Sequence, residues 1–159
     1  MKRLIFPAVL VIMAFFAYAA PLPPSKEDAV SLVALTVSDI EQDAPGTIKR
    51  IIKGEDTYWD RENREFLVFV MNEEVRVVAH PLKMHLMKMY SEEKDNEGKT
   101  YRKDAVVNAM ASGSGWVSFS INTKDGKKTM ESFYKIVKGS DKKNYIVCCD
   151  IEKTAESKQ

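Results

Sequence analysis

The chain has 159 residues, of which 45% are hydrophobic and 30% are charged, and its formal net charge is +1. This length suits one domain, and the composition is that of an ordinary globular protein, which excludes collagen-like, low-complexity and broadly disordered classes. So balanced a charge also excludes the basic surface by which proteins bind nucleic acid or anionic membranes.

The N-terminus predicts export. Lys2 and Arg3 precede an apolar run over 4–16, and Ala17-Tyr18-Ala19 has the small-x-small pattern that signal peptidase recognises. Residues 1–19 are then a cleaved signal peptide; an uncleaved anchor is the alternative, but the apolar run is short for a membrane span. Cleavage leaves 24 − 2 = 22 basic and 23 acidic side chains, a net charge of −1. We expect a soluble periplasmic protein without a lipid anchor.

Two helices are predicted after a proline-rich linker at 20–24. Ser25 is predicted to cap the first helix. Its apolar stripe consists of Val30, Val33, Val37 and Ile40. Pro45-Gly46 is predicted to end this helix, and a second short helix then begins at Thr47 and closes at Gly54.

The rest of the chain predicts a sheet. Strands are expected at 65–71, 74–79, 116–122, 128–137 and 144–151, with turns at 72–73, 125–126 and 139–141 that force antiparallel pairing. A loop with a helical turn and a helix at 101–110 separate the second strand from the third. We therefore predict an α+β domain over 25–152, a five-stranded antiparallel sheet with helices on one side, followed by a polar tail at 153–159.

Cys148 and Cys149 are adjacent in the last predicted strand. Neighbours in a strand point to opposite faces, so we interpret both as half-buried packing residues. A strained disulfide between them, or pairing between chains in an oxidising compartment, is the alternative.

Two groups of motifs resemble segments of single-Cache domains. Phe66–Val70, followed after a hairpin by Val77-Val78-Ala79-His80-Pro81, is similar to the family's YVFV…G…AHP segment. Asn96-Glu97-Gly98-Lys99 before a helix, and then Ser114-Gly115-Trp116-Val117, are similar to its DGK…GGGWV segment. The resemblance covers 26–152, and the order and spacing of these motifs make it specific.

The resemblance implies a PAS-like fold that holds a small metabolite, often a short organic acid, between the sheet and a covering loop. It also implies a sensor outside the membrane, attached to a chemoreceptor or a histidine kinase. We expect a stand-alone version that signals through a membrane receptor or kinase partner, and a homodimer formed through the first helix. A protein–protein interaction module with a vestigial pocket is the alternative.

The ligand contacts that this resemblance predicts are Tyr58, Phe69, His80, Tyr90, Trp116, Phe119, Ile121, Glu131 and Phe133. Phe119 and Ile121 replace a Tyr and a Trp that are common in the family, and Glu131 replaces a residue that is commonly cationic. A pocket carboxylate would repel a bound acid, so we hypothesise an amine, a neutral metabolite or no ligand.

For three of these residues, a role that does not involve a ligand is the alternative. Glu131 is alternatively a solvent-facing strand residue, and Trp116 alternatively fills space under a helix. The His80 ring alternatively fixes the following loop by bonding to its backbone.

A second hypothesis is metal binding. The segment 80–89 holds the potential copper ligands His80, Met84, His85, Met87 and Met89. Methionines that fill gaps under a loop explain the same residues. We predict no enzymatic activity and no cofactor, because the chain has only two histidines and no paired-carboxylate or phosphate-loop motif.

Overall fold

The computed structural model describes residues 23–153. The predicted signal peptide and most of the predicted polar tail lie outside these residues. The elements are α1 (Lys26–Lys53), β1 (Val68–Met71), β2 (Val77–Ala79), a 3-10 turn (Lys83–His85), α2 (Tyr101–Ser112), β3 (Ser114–Thr123), β4 (Gly126–Lys138) and β5 (Asn144–Glu152). No helix between residues 23 and 153 is both long enough and apolar enough to span a bilayer.

Helix α1 begins at the predicted start of the first helix and ends at Gly54, the predicted end of the second. The Ser25 hydroxyl accepts a hydrogen bond from the Asp28 N–H, and the Asp28 carboxylate accepts one from the Ser25 N–H, at 3.1 Å and 2.8 Å. This reciprocal pair is a capping box, which satisfies amides that have no partner inside the helix. Gly54 closes the other end with a φ of 70°, a left-handed conformation that suits glycine.

The break within α1 lies at Asp43 and not at Pro45-Gly46. Asp43 has non-helical backbone angles (φ −148°, ψ 80°), and its carboxylate accepts a hydrogen bond from the Gly46 N–H at 3.0 Å. Asp43 is thus the N-cap of the second segment, and Pro45 lies in the first turn, where an amide is dispensable. A Cβ atom on Gly46 would overlap the Asp43 carboxylate. The predicted stop signal is therefore the start of the second segment.

The five strands form one antiparallel sheet in the order β2-β1-β5-β4-β3. The predicted tight turn at Asn72-Glu73 is wrong, because the loop between β1 and β2 spans 72–76. The Asn72 side-chain oxygen holds this loop by accepting hydrogen bonds from the Glu74 and Arg76 N–H groups, at 3.1 Å and 3.0 Å.

The prediction that helices cover only one face of the sheet is wrong. Helix α1 packs on one face, against Val68, Val147 and Cys149, whereas α2 packs on the other, with Ile146 and Cys148. The reason is visible in β5, whose buried run 145–149 leaves neither face polar. Cys148 and Cys149 are unbonded and lie in opposite cores, fully rather than half buried.

We predict that Asp43→Ala lowers the free energy of unfolding by about 1 kcal/mol, because the second segment of α1 loses its N-cap. Urea denaturation monitored by circular dichroism measures this change. Asp43→Asn is the matched control, since its side-chain oxygen still accepts the Gly46 hydrogen bond. Equal stability of the Ala and Asn variants would contradict the capping role.

Candidate ligand-binding site

A cavity of ≈ 280 Å³ lies on the α2 face of the sheet. Its walls are the sheet, the first turn of α2 and the segment after β2. It is lined by Arg64, Glu65, Leu67, Phe69, His80, Leu82, His85, Tyr101, Arg102, Phe119, Ile121, Met130 and Asp150. Other depressions lie near Pro24 or between the β1–β2 and β4–β5 turns. One of them shares Met130 and Asp150 with this cavity, but none is lined by Arg102 or by the stacked rings of Tyr101 and Phe119. This cavity is therefore the candidate site.

Aromatic side chains form its apolar wall. The rings of Tyr101, from the first turn of α2, and Phe119, from β3, stack with centroids 4.0 Å apart and planes 7° apart. Met130 lies opposite Phe119 in the β3–β4 ladder and completes this cluster. The stacked pair fixes one wall of the cavity before any ligand enters.

His80 joins the wall to the covering segment. Its Nδ1 accepts a hydrogen bond from the Leu82 N–H at 2.9 Å, and its ring stacks on Phe69 with centroids 5.8 Å apart. Because Nδ1 is an acceptor, the neutral ring carries its proton on Nε2. Burial, followed by the nearby charges of His85 and Arg102, lowers the pKa of His80 to about 3. The ring thus lines the cavity and also fixes the following loop through its backbone, as the alternative interpretation of His80 predicts.

Arg102 is held in a fixed orientation. Its guanidinium lies 4.2 Å from the ring centroid of Tyr90 and 4.8 Å from that of Tyr101, and it forms an ion pair with Glu93. The Tyr90 hydroxyl and His85 Nδ1 share a hydrogen bond of 2.8 Å. Stacking of this kind orients the planar guanidinium and leaves its other N–H groups free to bind a ligand.

Two buried polar atoms of cavity residues have no hydrogen-bond partner. They are Oδ1 of Asp150, on β5, and Nε of Arg102. Burial raises the pKa of the Asp150 carboxyl, although a hydrogen bond from Ser132 and the charge of Arg102 oppose this effect. Buried polar atoms are nearly always paired, so a water molecule or a ligand is expected at each of these two.

The structure brings four of the nine predicted ligand contacts to the cavity: Phe69, His80, Phe119 and Ile121. Tyr90 does not line the cavity, but its ring packs against the Arg102 guanidinium and its hydroxyl is hydrogen-bonded to His85.

The remaining four predicted contacts, Tyr58, Trp116, Glu131 and Phe133, lie on the α1 side. Tyr58 is fully buried and donates a hydrogen bond to Asp39 at 2.6 Å, so it is not part of a lid. Trp116 packs on Phe133, with ring centroids 5.1 Å apart, as expected of a residue that fills space under a helix.

Glu131 requires a correction in both of its interpretations. Phe119 pairs with Met130, so Glu131 points to the opposite face of the sheet from the cavity. There its carboxylate forms ion pairs with Lys26 at 2.8 Å and with Lys153 at 3.9 Å, and the residue is only 5% exposed. Glu131 is therefore neither a pocket residue that repels a bound acid nor a solvent-facing one.

Four charged residues line the cavity, Arg64, Glu65, Arg102 and Asp150, and the sequence prediction includes none of them. Asp150 has a visible signal, since it is the one charged residue in the otherwise apolar run 145–151. Arg102 has none, because a cation in a surface helix is ordinary and only the fold turns it toward the sheet.

The residues proposed as copper ligands are only partly brought together. The rings of His80 and His85 lie 4.5 Å apart, whereas Met84, Met87 and Met89 are 67%, 62% and 50% exposed. In the described part of the chain, no three or more His, Cys, Asp or Glu side chains are grouped so that they could hold a metal ion.

Comparison with known proteins agrees with this architecture. The family model for the single Cache domain 2 matches residues 25–154. No curated protein matches the chain.

Solved structures that share the fold include the following three. A periplasmic sensor domain of a chemotaxis protein is 19% identical with a TM-score of 0.56, and the match covers 80% of this chain and 90% of that one. A methyl-accepting chemotaxis protein from Vibrio parahaemolyticus is 12% identical, with a TM-score of 0.60 and coverage of 80% and 87%. A Cache chemosensory domain described as recognising a carboxylic acid is 14% identical, with a TM-score of 0.60 and coverage of 80% and 92%.

We predict that His80 makes the protein less stable in acid. Its folded-state pKa of about 3 lies below the ordinary value of 6.5, so the unfolded chain binds a proton that the folded chain excludes. The stability that His80 contributes is complete above pH 6.5 and is lost as the pH falls from there toward 3, at up to about 1.4 kcal/mol per pH unit.

Urea denaturation at a series of pH values, with His80→Asn as the matched variant, measures this loss. The asparagine oxygen can accept the Leu82 hydrogen bond but does not titrate. The difference in stability between wild type and variant should shrink in acid. A constant difference would show that the pKa of His80 is not lowered in the folded protein.

Proposed function

This chain belongs to the single Cache domain 2 family, and we propose that it is an exported sensor that binds one small metabolite in the cavity on the α2 face. The observation that carries this proposal is the pair of unpartnered buried atoms, Asp150 Oδ1 and Arg102 Nε, at a cavity with a preformed aromatic wall. Ligand sites are mostly apolar, with a few polar groups that fix orientation. This cavity has that composition.

The proposed output is through a partner protein. The solved structures that share the fold include sensor domains of chemotaxis proteins, so a membrane receptor or kinase is the kind of partner we propose. Cache sensor domains typically bind ligands and do not catalyse reactions. We propose the same for this chain. Its export rests on the signal-peptide pattern at 1–19.

Native mass spectrometry of the protein purified from its own periplasm tests this proposal. We expect one small molecule to co-purify with the folded protein and to be released on denaturation. Ile121→Trp should weaken its binding by about tenfold or more, because the larger side chain fills the cavity.

Val107→Trp is the matched control, since Val107 is exposed on α2 and does not line the cavity. Equal binding by the two variants would place the ligand elsewhere. No bound molecule, together with no shift in melting temperature across short carboxylates, amino acids and amines, would contradict a binding role.

A further inference from the structure

We propose that the cavity selects a small zwitterion of the α-amino-acid class, with its ammonium group at Asp150 and its carboxylate at Arg102. This inference rests on the proposed function, because it names the ligand class of the same site. It corrects the residue on which the sequence-based hypothesis of an amine ligand depends, from Glu131 to Asp150.

The first step of the argument concerns the Asp150 carboxylate. Its Oδ1 is buried without a hydrogen bond. Between residues 23 and 153, no lysine or arginine nitrogen lies within 4.0 Å of a carboxylate oxygen of Asp150, the distance that defines an ion pair. A buried carboxylate without a counter-ion is strongly unfavourable, whereas one that meets a cation and its hydrogen bonds is compensated. A ligand ammonium group, which carries one positive charge and three donors, supplies what Asp150 lacks.

The second step concerns Arg102. Glu93 takes one guanidinium nitrogen of Arg102, and Tyr90 and Tyr101 hold its plane, but Nε is buried and unpartnered. Nε–H is a donor, so its natural partner is a ligand oxygen, and the positive charge favours a carboxylate.

Only a molecule with both groups satisfies both positions. A short organic acid would pair with Arg102 but would share the cavity with the Asp150 carboxylate, which repels it. A simple amine would pair with Asp150 and leave Arg102 Nε unpartnered. The volume of ≈ 280 Å³ is at the lower end for ligand pockets and suits a compact metabolite.

Isothermal calorimetry with matched compounds tests this proposal without any substitution. The wild-type protein is titrated with each standard L-amino acid and with acetate, propionate, lactate and pyruvate. For the tightest amino acid, its deamino acid and its decarboxylated amine are then titrated as well. We expect the amino acid to bind at least about tenfold more tightly than either derivative.

The possible failures are distinguishable. If a short carboxylate binds more tightly than any amino acid, this inference is overturned and the proposed function stands. If no compound binds and none co-purifies with the protein, both are overturned.

A substitution then assigns the ammonium site. Asp150→Asn should weaken binding of the amino acid by about tenfold or more and should leave its deamino acid unchanged or more tightly bound, because the repelling charge is gone. Asp125→Asn, in the exposed β3–β4 turn, is the matched control and should change neither. If Asp150→Asn leaves amino-acid binding unchanged, Asp150 does not receive the ammonium group and the inference is overturned.

Discussion

Strand β5 lies at the centre of the sheet, and its alternation between two cores is the constraint on which the rest of the structure depends. Odd-numbered side chains from Tyr145 to Ile151 enter the α1 core, and the even-numbered Ile146 and Cys148 enter the α2 core. Asp150 continues the even series, so it emerges where the α2 core gives way to the cavity. A slip of one residue in the pairing of β5 with β4 would exchange Asp150 for an apolar neighbour.

The alternation of side chains along the strands also explains which features of the fold and the site can be predicted from the sequence. The caps of α1, the five strands and the antiparallel pairing follow from local signals, such as Ser25 before a helical stripe and alternating strands between turns. The sequence does not show which face of each strand lines the cavity. Period-two alternation groups the residues within one strand by face, but it does not say whether Phe119 and Glu131, on different strands, lie on the same face. The register of β3 against β4 decides it, and it places Met130 rather than Glu131 beside Phe119. Arg102 reaches the cavity only through the tertiary packing of α2.

Glu131, a buried residue, and Asp150, which has one buried oxygen, differ in how their charge is compensated. Glu131 has two lysines within ion-pairing distance, Lys26 at the start of α1 and Lys153 after β5, and its charge is compensated within the protein. Asp150 lies opposite Ser132 in the β4–β5 ladder, has no ion-pair partner in the described residues, and one of its oxygens is buried without a hydrogen bond. If Asp150 had only a structural role, an apolar residue could take its place in this otherwise apolar strand with little or no loss of stability. The unmet requirement of Asp150 is therefore better explained by binding than by folding.

These two carboxylates also relate the cavity to the ends of the domain. Met130 lines the cavity, and the next residue along β4, Glu131, binds Lys26 at the start of α1 and Lys153 just after β5. Asp150 is likewise only three residues from Lys153. A sheet buried on both faces is close-packed and transmits small displacements rather than absorbing them. Under the proposed function, a ligand that contacts Met130 and Asp150 touches β4 and β5, the two strands that carry the contacts to both ends of the domain.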